Sequence, residues 1–349
     1  MENLQTKLWL VDKNVDNLKN YPQITQAAAL LRENEVVAFP TETVYGLGGN
    51  AHSDTAIQKI YEAKGRPSDN PLIIHIADKE QLNEFVTHIP DKAKKLMDEF
   101  WPGPLTIIFE KKPSKLSQLA TAGLSTVAVR MPNHPVALAV INEAGVPIAA
   151  PSANSSGKPS PTKAEHVMED LTGKIAGIVD GGATGVGVES TVIDCTEEIP
   201  IILRPGGVTR EVLEQIIGEV RVDPALKDSN EAPKSPGMKY RHYAPKSPLF
   251  LVRGDREDLQ QLVQKEQRLG RKVGVLTTTE NEGFYEADTV IACGSREHLS
   301  TVASSLYDVL RLFDQRDVDV IFSEMFPTKG MGEAIMNRLM KAAGNQVIE

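Results

Sequence analysis

Cysteine is nearly missing from this chain: Cys195 and Cys293 are the only two in 349 residues. Two thiols so far apart provide neither a disulfide framework nor a cysteine-based zinc site, and the chain reads as a protein of a reducing cytosol. Long apolar runs are missing too. The opening MENLQTKLWLVDKN lacks the core of a signal peptide, and no stretch approaches the length of a membrane span. The balance of charge is −9, which argues against coating by nucleic acid and leaves only a local basic cleft as a way to hold one. Hydrolytic signatures are absent as well. There is no Gly-x-Ser-x-Gly elbow and no His-Glu-x-x-His helix, and the seven histidines show no ligand-like spacing. Two glycine clusters, Gly46-Leu47-Gly48-Gly49 and 181–187, lack the Lys-Ser/Thr pair of a phosphate loop and the acidic residue of a dinucleotide fingerprint. Each reads as a tight turn. No internal repeat is found.

What is present is ordinary in bulk, with 41% hydrophobic and 24% charged residues, as in a soluble globular protein. The length exceeds what one core usually fills, so two domains are expected. Residues 23–32 read as a helix and 35–39 as a strand. Residues 40–50 read as a polar turn, after which Ser53 or Asp54 caps a helix running to about Lys64. Strands are expected over 71–77, 105–109, 126–131, 147–150, 175–180, 190–195 and 201–203, with helices over 91–100, 135–144 and 209–217. Mixing without strict alternation implies a twisted mixed sheet with helices packed on it. Residues 223–247, with Pro224, Pro233, Pro236 and Pro245 and no periodicity, read as a linker. Beyond it strands (249–252, 272–276, 289–292, 318–322) alternate with helices (255–269, 296–313, 332–343), the pattern of a small parallel α/β sheet.

The polar features concentrate at strand ends and turns. In AKGRPSDNPLIIH, Lys64 and Arg66 close a helix. The turn Pro67 to Pro71 carries Asn70, and His75 sits in the apolar run that follows. Proline restricts its own φ and the residue before it, so the helix is expected to stop at Arg66. Two cations fixed ahead of a rigid turn suit an anion, although the pair alone also fits a solvated helix end. The stretch 151–162 (PSANSSGKPSPT) delivers small hydroxyl and amide groups at the C-terminal end of a strand, where open α/β sheets bind ligands. Thr126, Arg130, Ser190, Arg204 and the linker's Tyr243 complete the set. Arg130 and Arg204 each follow a β-rich run, and a buried arginine needs an anionic partner from protein or ligand.

In order along the chain, PTETVYGLG, KGRPSDNPLIIH, WPGPLT, STVAVRMP, PIAAPSANSSGKPSPT, ESTVID, LRPG and PGMKYRHYAP closely resemble the L-threonylcarbamoyladenylate synthases in their long form. The combination of Lys64 and Arg66 with Ser152 and Asn154 is its most specific part. The C-terminal part matches more weakly, through its layout and the GxAIMNR-like 332–338. The resemblance implies an α/β protein with an N-terminal YrdC-like domain over 1–222, a twisted mixed sheet with helices and a large cavity. A linker or lid over 223–247 and a smaller Rossmann-like parallel α/β domain over 248–349 follow. It implies a nucleotidyltransferase that joins L-threonine, bicarbonate or CO2 and ATP into L-threonylcarbamoyl-AMP, with pyrophosphate and water as the other products. Mg²⁺ would accompany ATP without a dedicated protein site. A downstream threonylcarbamoyl transferase complex would modify adenosine-37 of tRNAs reading ANN codons, in the cytoplasm and away from any membrane.

By the same correspondence Lys64, Arg66, Ser152 and Asn154 are the catalytic residues. Thr43, His75, Arg130, Ser152 and Ser190 hold L-threonine, and Lys64, Arg66, Asn70, Thr126, Ala150 through its backbone, Asn154, Thr162, Arg204 and Tyr243 hold ATP. Residues 236–245, rich in aromatic and basic side chains, are expected to fold over the N-terminal cavity as a lid. Two readings compete: an RNA-binding module, for which direct contact with tRNA would be the mark, and carbamoyl transfer or hydrolysis in the same cavity. The charge of −9 and the lack of interleaved surface aromatics weigh against the first.

Overall fold

The computed structural model describes residues 4–15, 17–113, 115–226 and 243–349. These fall into two units. The first takes the described residues up to 156, then 161–185 and 189–226; the second takes 157–160, 186–188 and 243–349. Most of the expected linker and lid, residues 227–242, lies outside the described residues.

The first unit carries an eleven-stranded sheet. Its strands are β1 (Lys7–Leu10), β2 (Val37–Phe39), β3 (Gly46–Asn50), β4 (Ile73–His75), β5 (Leu105–Glu110), β6 (Thr126–Arg130), β7 (Ile148–Ala149), β8 (Gly177–Asp180), β9 (Thr191–Asp194), β10 (Ile201–Arg204) and β11 (Arg221–Val222). The spatial order is β1-β8-β2-β3-β7-β4-β6-β5-β9-β10-β11. Parallel pairs such as β4 with β6 occur beside antiparallel ones such as β2 with β3 and β4 with β7, so the sheet is mixed.

Helices cover both faces, as the period of two along each strand requires. Val37 and Phe39 of β2 join the core beneath α1 (Pro22–Arg32) and α4 (Pro135–Ala144), with Ile24, Leu31, Val140 and Ile141. Val36 and Ala38 face the other way. They join Ile57, Leu96, Val167 and Leu213 from α2 (Asp54–Lys64), α3 (Asp91–Phe100), α5 (Ala164–Leu171) and α6 (Arg210–Ile217).

Two sequence expectations need correction. Residues 46–50 form a buried strand rather than a turn, paired antiparallel to β2. A Cβ on Gly48 would lie 2.5 Å from the Phe39 ring and 2.9 Å from Ile148, so the glycine admits close packing that its low strand propensity conceals. The helix before the Lys64–Arg66 pair ends at Lys64, as its capped reading has it, and not at Arg66 as the proline alone implies. Gly65 takes the left-handed conformation at φ 62° and stops it ahead of the proline. Strands β1 and β11 and helix α5 had no counterpart in the sequence reading.

The second unit is a five-stranded sheet built from β12 (Leu249–Val252), β13 (Val273–Thr277), β14 (Thr289–Ala292), β15 (Val320–Glu324) and β16 (Val347–Ile348). All its pairs are parallel, in the order β14-β13-β15-β12-β16. Helices α7 (Arg256–Arg268), α8 (Leu299–Phe313) and α9 (Met331–Ala342) connect the strands. The parallel α/β expectation for this region is met; β16 is an addition, and α8 starts at Leu299 rather than 296.

Candidate active site

Helix α2 ends on a buried cation. Lys64 is 4% exposed, and its Nζ donates to Ser152 O at 2.5 Å and Asn154 O at 2.8 Å, with Asn154 Oδ1 at 3.5 Å. Burial and then the Arg66 charge push the lysine down to about 7, while Asp170 and Glu189 pull the other way. The carbonyl oxygens work in the ammonium's favour. Lys64 therefore ties the helix end to the loop after β7, and the two halves of the most specific motif meet through one side chain.

Arg66 leaves the cap with its N–H on Tyr61 O at 3.0 Å and sends Nη2 toward Asn70 O at 3.4 Å. Asn70 is 3% exposed; its carbonyl accepts from Tyr61 Oη at 2.8 Å, and its Nδ2 has no partner. The turn leads into β4, three residues that reach His75.

Register then sets the second cluster. His75 pairs with Arg130 across the parallel β4–β6 ladder, so the two side chains stand on one face. His75 is buried, with Nδ1 3.2 Å from Ile73 O. That contact assigns the proton to Nδ1 and leaves the Nε2 lone pair available. Burial and then the Arg130 charge push the ring down to about 3, so it is neutral at pH 7. Arg130 is 4% exposed. Nε donates to Gly103 O at 3.2 Å, Nη1 to Thr43 Oγ1 at 2.8 Å, and Nη2 lies 2.7 Å from Glu42 Oε1. Thr43 Oγ1 is also 2.9 Å from Thr41 Oγ1. The sequence reading left open whether protein or ligand partners Arg130, and Glu42 is the protein partner. Its signal was an acid amid the otherwise neutral residues of PTETVYGLG.

A third cluster joins residues assigned to different substrates. Ser190 Oγ lies 2.7 Å from Thr106 Oγ1, and Arg204 donates from Nη2 to Ser190 Oγ and from Nε to Ser190 O, both at 3.1 Å. Gly103-Pro104 connects this cluster to the second: Gly103 accepts from Arg130, and Pro104 O accepts from Thr191 N at 3.1 Å.

The remaining residues are placed as follows. Thr126 opens β6 opposite Glu110. The N–H of Ala150 is spent on Ile73 O at 3.0 Å, so its backbone offers a ligand its carbonyl. Thr162 is 3% exposed with Oγ1 unpartnered, while its N–H donates to His166 Nδ1 at 3.2 Å. Tyr243 belongs to the second unit, at φ 64°, its ring stacked on Tyr307 at 5.0 Å.

Residues 29–206 match the Sua5–YciO–YrdC family, described as telomere recombination, and 208–344 match the family described as threonylcarbamoyl-AMP synthase, C-terminal domain. The chain is 63% identical over 345 residues to the threonylcarbamoyl-AMP synthase of Bacillus subtilis (strain 168), covering 99% of this chain and 100% of that one. It belongs to the threonylcarbamoyl-AMP synthase family. The Pyrococcus abyssi member is 50% identical, over 94% of this chain and 96% of its own. The crystal structure of P. abyssi Sua5 complexed with L-threonine superposes with a TM-score of 0.91 at 48% identity, covering 98% of this chain and 99% of that one. The synthase family thus accounts for both units, including the C-terminal sheet whose motifs were the weaker part of the resemblance.

Proposed function

We propose that the chain is a nucleotidyltransferase that makes L-threonylcarbamoyl-AMP and pyrophosphate from L-threonine, ATP and either bicarbonate, which releases water as it yields CO2, or CO2 itself. The observation that carries this reading is similarity over nearly the whole chain, 63% to a threonylcarbamoyl-AMP synthase, with a solved neighbour that holds L-threonine.

The threonine ammonium loses a proton, and the free amine attacks CO2 to form a carbamate. A carbamate oxygen then attacks the α-phosphorus in line, and the bond to pyrophosphate breaks. Negative charge gathers throughout, so fixed cations and N–H donors serve better than a covalent nucleophile. Arg130 takes the threonine carboxylate beside Thr43. The Nε2 of His75 and the hydroxyls of Ser152 and Ser190 read the amine and the side chain. Arg66, Asn70, Thr126, the Ala150 carbonyl, Asn154, Thr162 and Arg204 take the nucleotide. Lys64 supplies charge and, through its bonds to Ser152 and Asn154, holds their loop. The unpartnered Asn70 Nδ2 and Thr162 Oγ1 support a ligand here, because buried polar groups rarely go without a partner.

Mg²⁺ would arrive with the triphosphate, whose charge it neutralises. The described residues gather no group of three or more His, Cys, Asp or Glu able to hold an ion. The product would pass to a transferase complex that modifies adenosine-37 of tRNAs reading ANN codons. A cytoplasmic setting fits that role, and among the described residues no helix is long and apolar enough to cross a membrane.

The test is product analysis by mass with threonine, bicarbonate and ATP, each omitted in turn. Threonylcarbamoyl-AMP and pyrophosphate are expected only with all three. Equal pyrophosphate release without threonine would overturn the reading.

A further inference from the structure

The segment WPGPLT, residues 101–106, supplies no group to the reaction described above, yet it touches residues of both substrate sides. Trp101 Nε1 donates to Leu105 O at 2.7 Å and Gly103 N to Met131 O at 2.8 Å, which fixes its course. From that base Gly103 O accepts from Arg130 Nε at 3.2 Å, and Pro104 O accepts from Thr191 N, next to Ser190, at 3.1 Å. The segment ends on Thr106, the second residue of β5, which is 0% exposed. Ile108 of β5 pairs with Ala128 of β6, and Thr106 and Arg130 each lie two residues away from that pair. Both side chains therefore stand on the face of the sheet that carries His75.

Hydrogen-bonding capacity then decides which way the protons run. Thr106 Oγ1 lies 2.7 Å from Ser190 Oγ and has no other partner among the described residues. Arg204 Nη2 also donates to Ser190 Oγ, at 3.1 Å. A serine hydroxyl has two lone pairs and one proton. Between the two hydroxyls one proton is left over whichever of them donates. On Thr106 it would be a buried donor with no acceptor, which is costly. On Ser190, a residue of the threonine side, it can meet the ligand. The favoured arrangement has Thr106 and Arg204 filling both lone pairs of Ser190 Oγ while the Ser190 O–H points away from them. Donors feeding a hydroxyl also strengthen the bond that the hydroxyl donates.

We propose that Thr106 is a positioning residue: by donating to Ser190 Oγ beside Arg204, it turns the Ser190 O–H onto the ligand oxygen that gains charge as the carbamate meets the α-phosphorus. Ser190 belongs to the threonine side and Arg204 to the nucleotide side, so the hydroxyl chain ends where the two substrates join. No proton changes owner; only the direction of each O–H is set. The inference rests on the synthase reaction proposed above and on Ser190 touching the ligand.

Steady-state pyrophosphate release by the full chain, with threonine and ATP each varied, tests this on Thr106→Val and Thr106→Ser. Valine keeps the branched shape and loses the hydroxyl, whereas serine keeps the hydroxyl and loses the methyl. Thr106→Val is expected to lower kcat about tenfold while moving either KM far less, and Thr106→Ser to recover most of that loss. A merely structural role predicts the opposite order, with valine at least as active per folded molecule as serine, and that order would overturn the proposal. In a Ser190→Ala background Thr106→Val should cost nothing further, because Thr106 acts only through Ser190; a full further loss there would also overturn it. If Thr106→Val does not fold, Thr106→Cys, with a weak donor in place of the hydroxyl, carries the comparison. Ser190→Ala alone separates the two levels. If it turns over as wild type does, the assignment of Ser190 fails; if it is slow while Thr106→Val is not, only the positioning role fails. Pyrophosphate release that ignores threonine in wild type overturns the synthase reading and this role with it.

Discussion

Each unit carries a glutamate at or just beyond the end of a strand, and the two are treated in opposite ways. Glu324, at the end of β15, is 7% exposed and receives Thr277 Oγ1 at 2.6 Å, Asn281 Nδ2 at 2.9 Å, Tyr285 Oη at 2.8 Å and Arg296 Nη2 at 2.6 Å. Burial works to raise its pKa, but these bonds outweigh it and hold the carboxyl below its usual range. A crevice of about 320 Å³ lies beside it, lined by Gly254, Asp255, Arg256, Arg296 and Met325 among others, where the carboxyl ends of a parallel sheet usually receive ligands. The polar groups there nonetheless satisfy one another. Arg296 also reaches Met325 O at 3.0 Å, and Asp255 and Asp258 cap α7 reciprocally. Glu42, by contrast, meets Arg130 Nη2 at 2.7 Å through Oε1, and its Oε2 has no hydrogen-bond partner. Position on a sheet does not by itself make a site; unspent hydrogen-bonding capacity in a buried place does.

The largest test of this difference sets one substitution in each unit side by side. Glu324→Ala leaves the buried Thr277 and Tyr285 hydroxyls without their acceptor and should cost about 1–3 kcal/mol of stability. Turnover per folded molecule should stay near wild type. Arg66→Ala should do the reverse. Losing a charge-assisted contact worth about 1.5–3 kcal/mol should slow turnover tenfold to a hundredfold or more, with the fold intact. Denaturant melts and pyrophosphate-release kinetics on both variants give the answer. Near-normal rates in Arg66→Ala, or a specific loss of turnover in folded Glu324→Ala, would break the contrast.

Acid should separate the units next. His75 and His134 are held neutral in the folded state by burial, at about 3 and about 4. Once pH falls below the unfolded value near 6.5, only the unfolded chain takes up their protons. The first unit then loses stability, by about 1.4 kcal/mol per pH unit for each histidine. Glu324 is also depressed, so its contribution is complete above about pH 4.5 and is lost only below that. Trp9 and Trp101, the only two tryptophans, both lie buried in the first unit and report on it selectively. Between about pH 6.5 and about pH 5, unfolding followed by tryptophan fluorescence should shift to lower denaturant more than unfolding of the second unit followed by hydrogen exchange. Equal shifts in the two would defeat the prediction.

Local chemistry made much of this legible in the sequence. Helix α4 was read to its ends because Pro135 opens it and Gly145, at φ 68°, closes it. Of the two residues read as the cap of α2, Ser53 and Asp54, it is Ser53 that accepts Ala56 N, at 3.2 Å. The candidate site was legible as residue types at strand ends, while its partnerships were not. Lys64 reaches Ser152 across 88 positions and Arg130 reaches Thr43 across 87. No periodicity in the chain records which strands of a mixed sheet become neighbours. Thr106 escaped notice because a threonine in LTIIF reads as an ordinary strand residue until its hydroxyl is seen to meet Ser190.

The smallest expected effect concerns β3. The second unit builds its central strand from VIFSE, but the first unit sets GLGGN between β2 and β7. Glycine there costs strand propensity and admits the Phe39 ring against the backbone of β3. Gly48→Ala adds one methyl 2.5 Å from Phe39 Cε1 and 2.9 Å from Ile148 Cγ2. The ring must move, at a cost of about 1–3 kcal/mol, despite the gain in strand propensity. β3 also meets Ser152 through a bridge at Gly46, so the shift should reach the loop that Lys64 holds. Gly48→Ala is therefore expected to lower the denaturation midpoint and to raise the KM for ATP by a small factor. A variant as stable as wild type, with unchanged kinetics, would mean that Phe39 has room to yield and that the glycine serves another purpose.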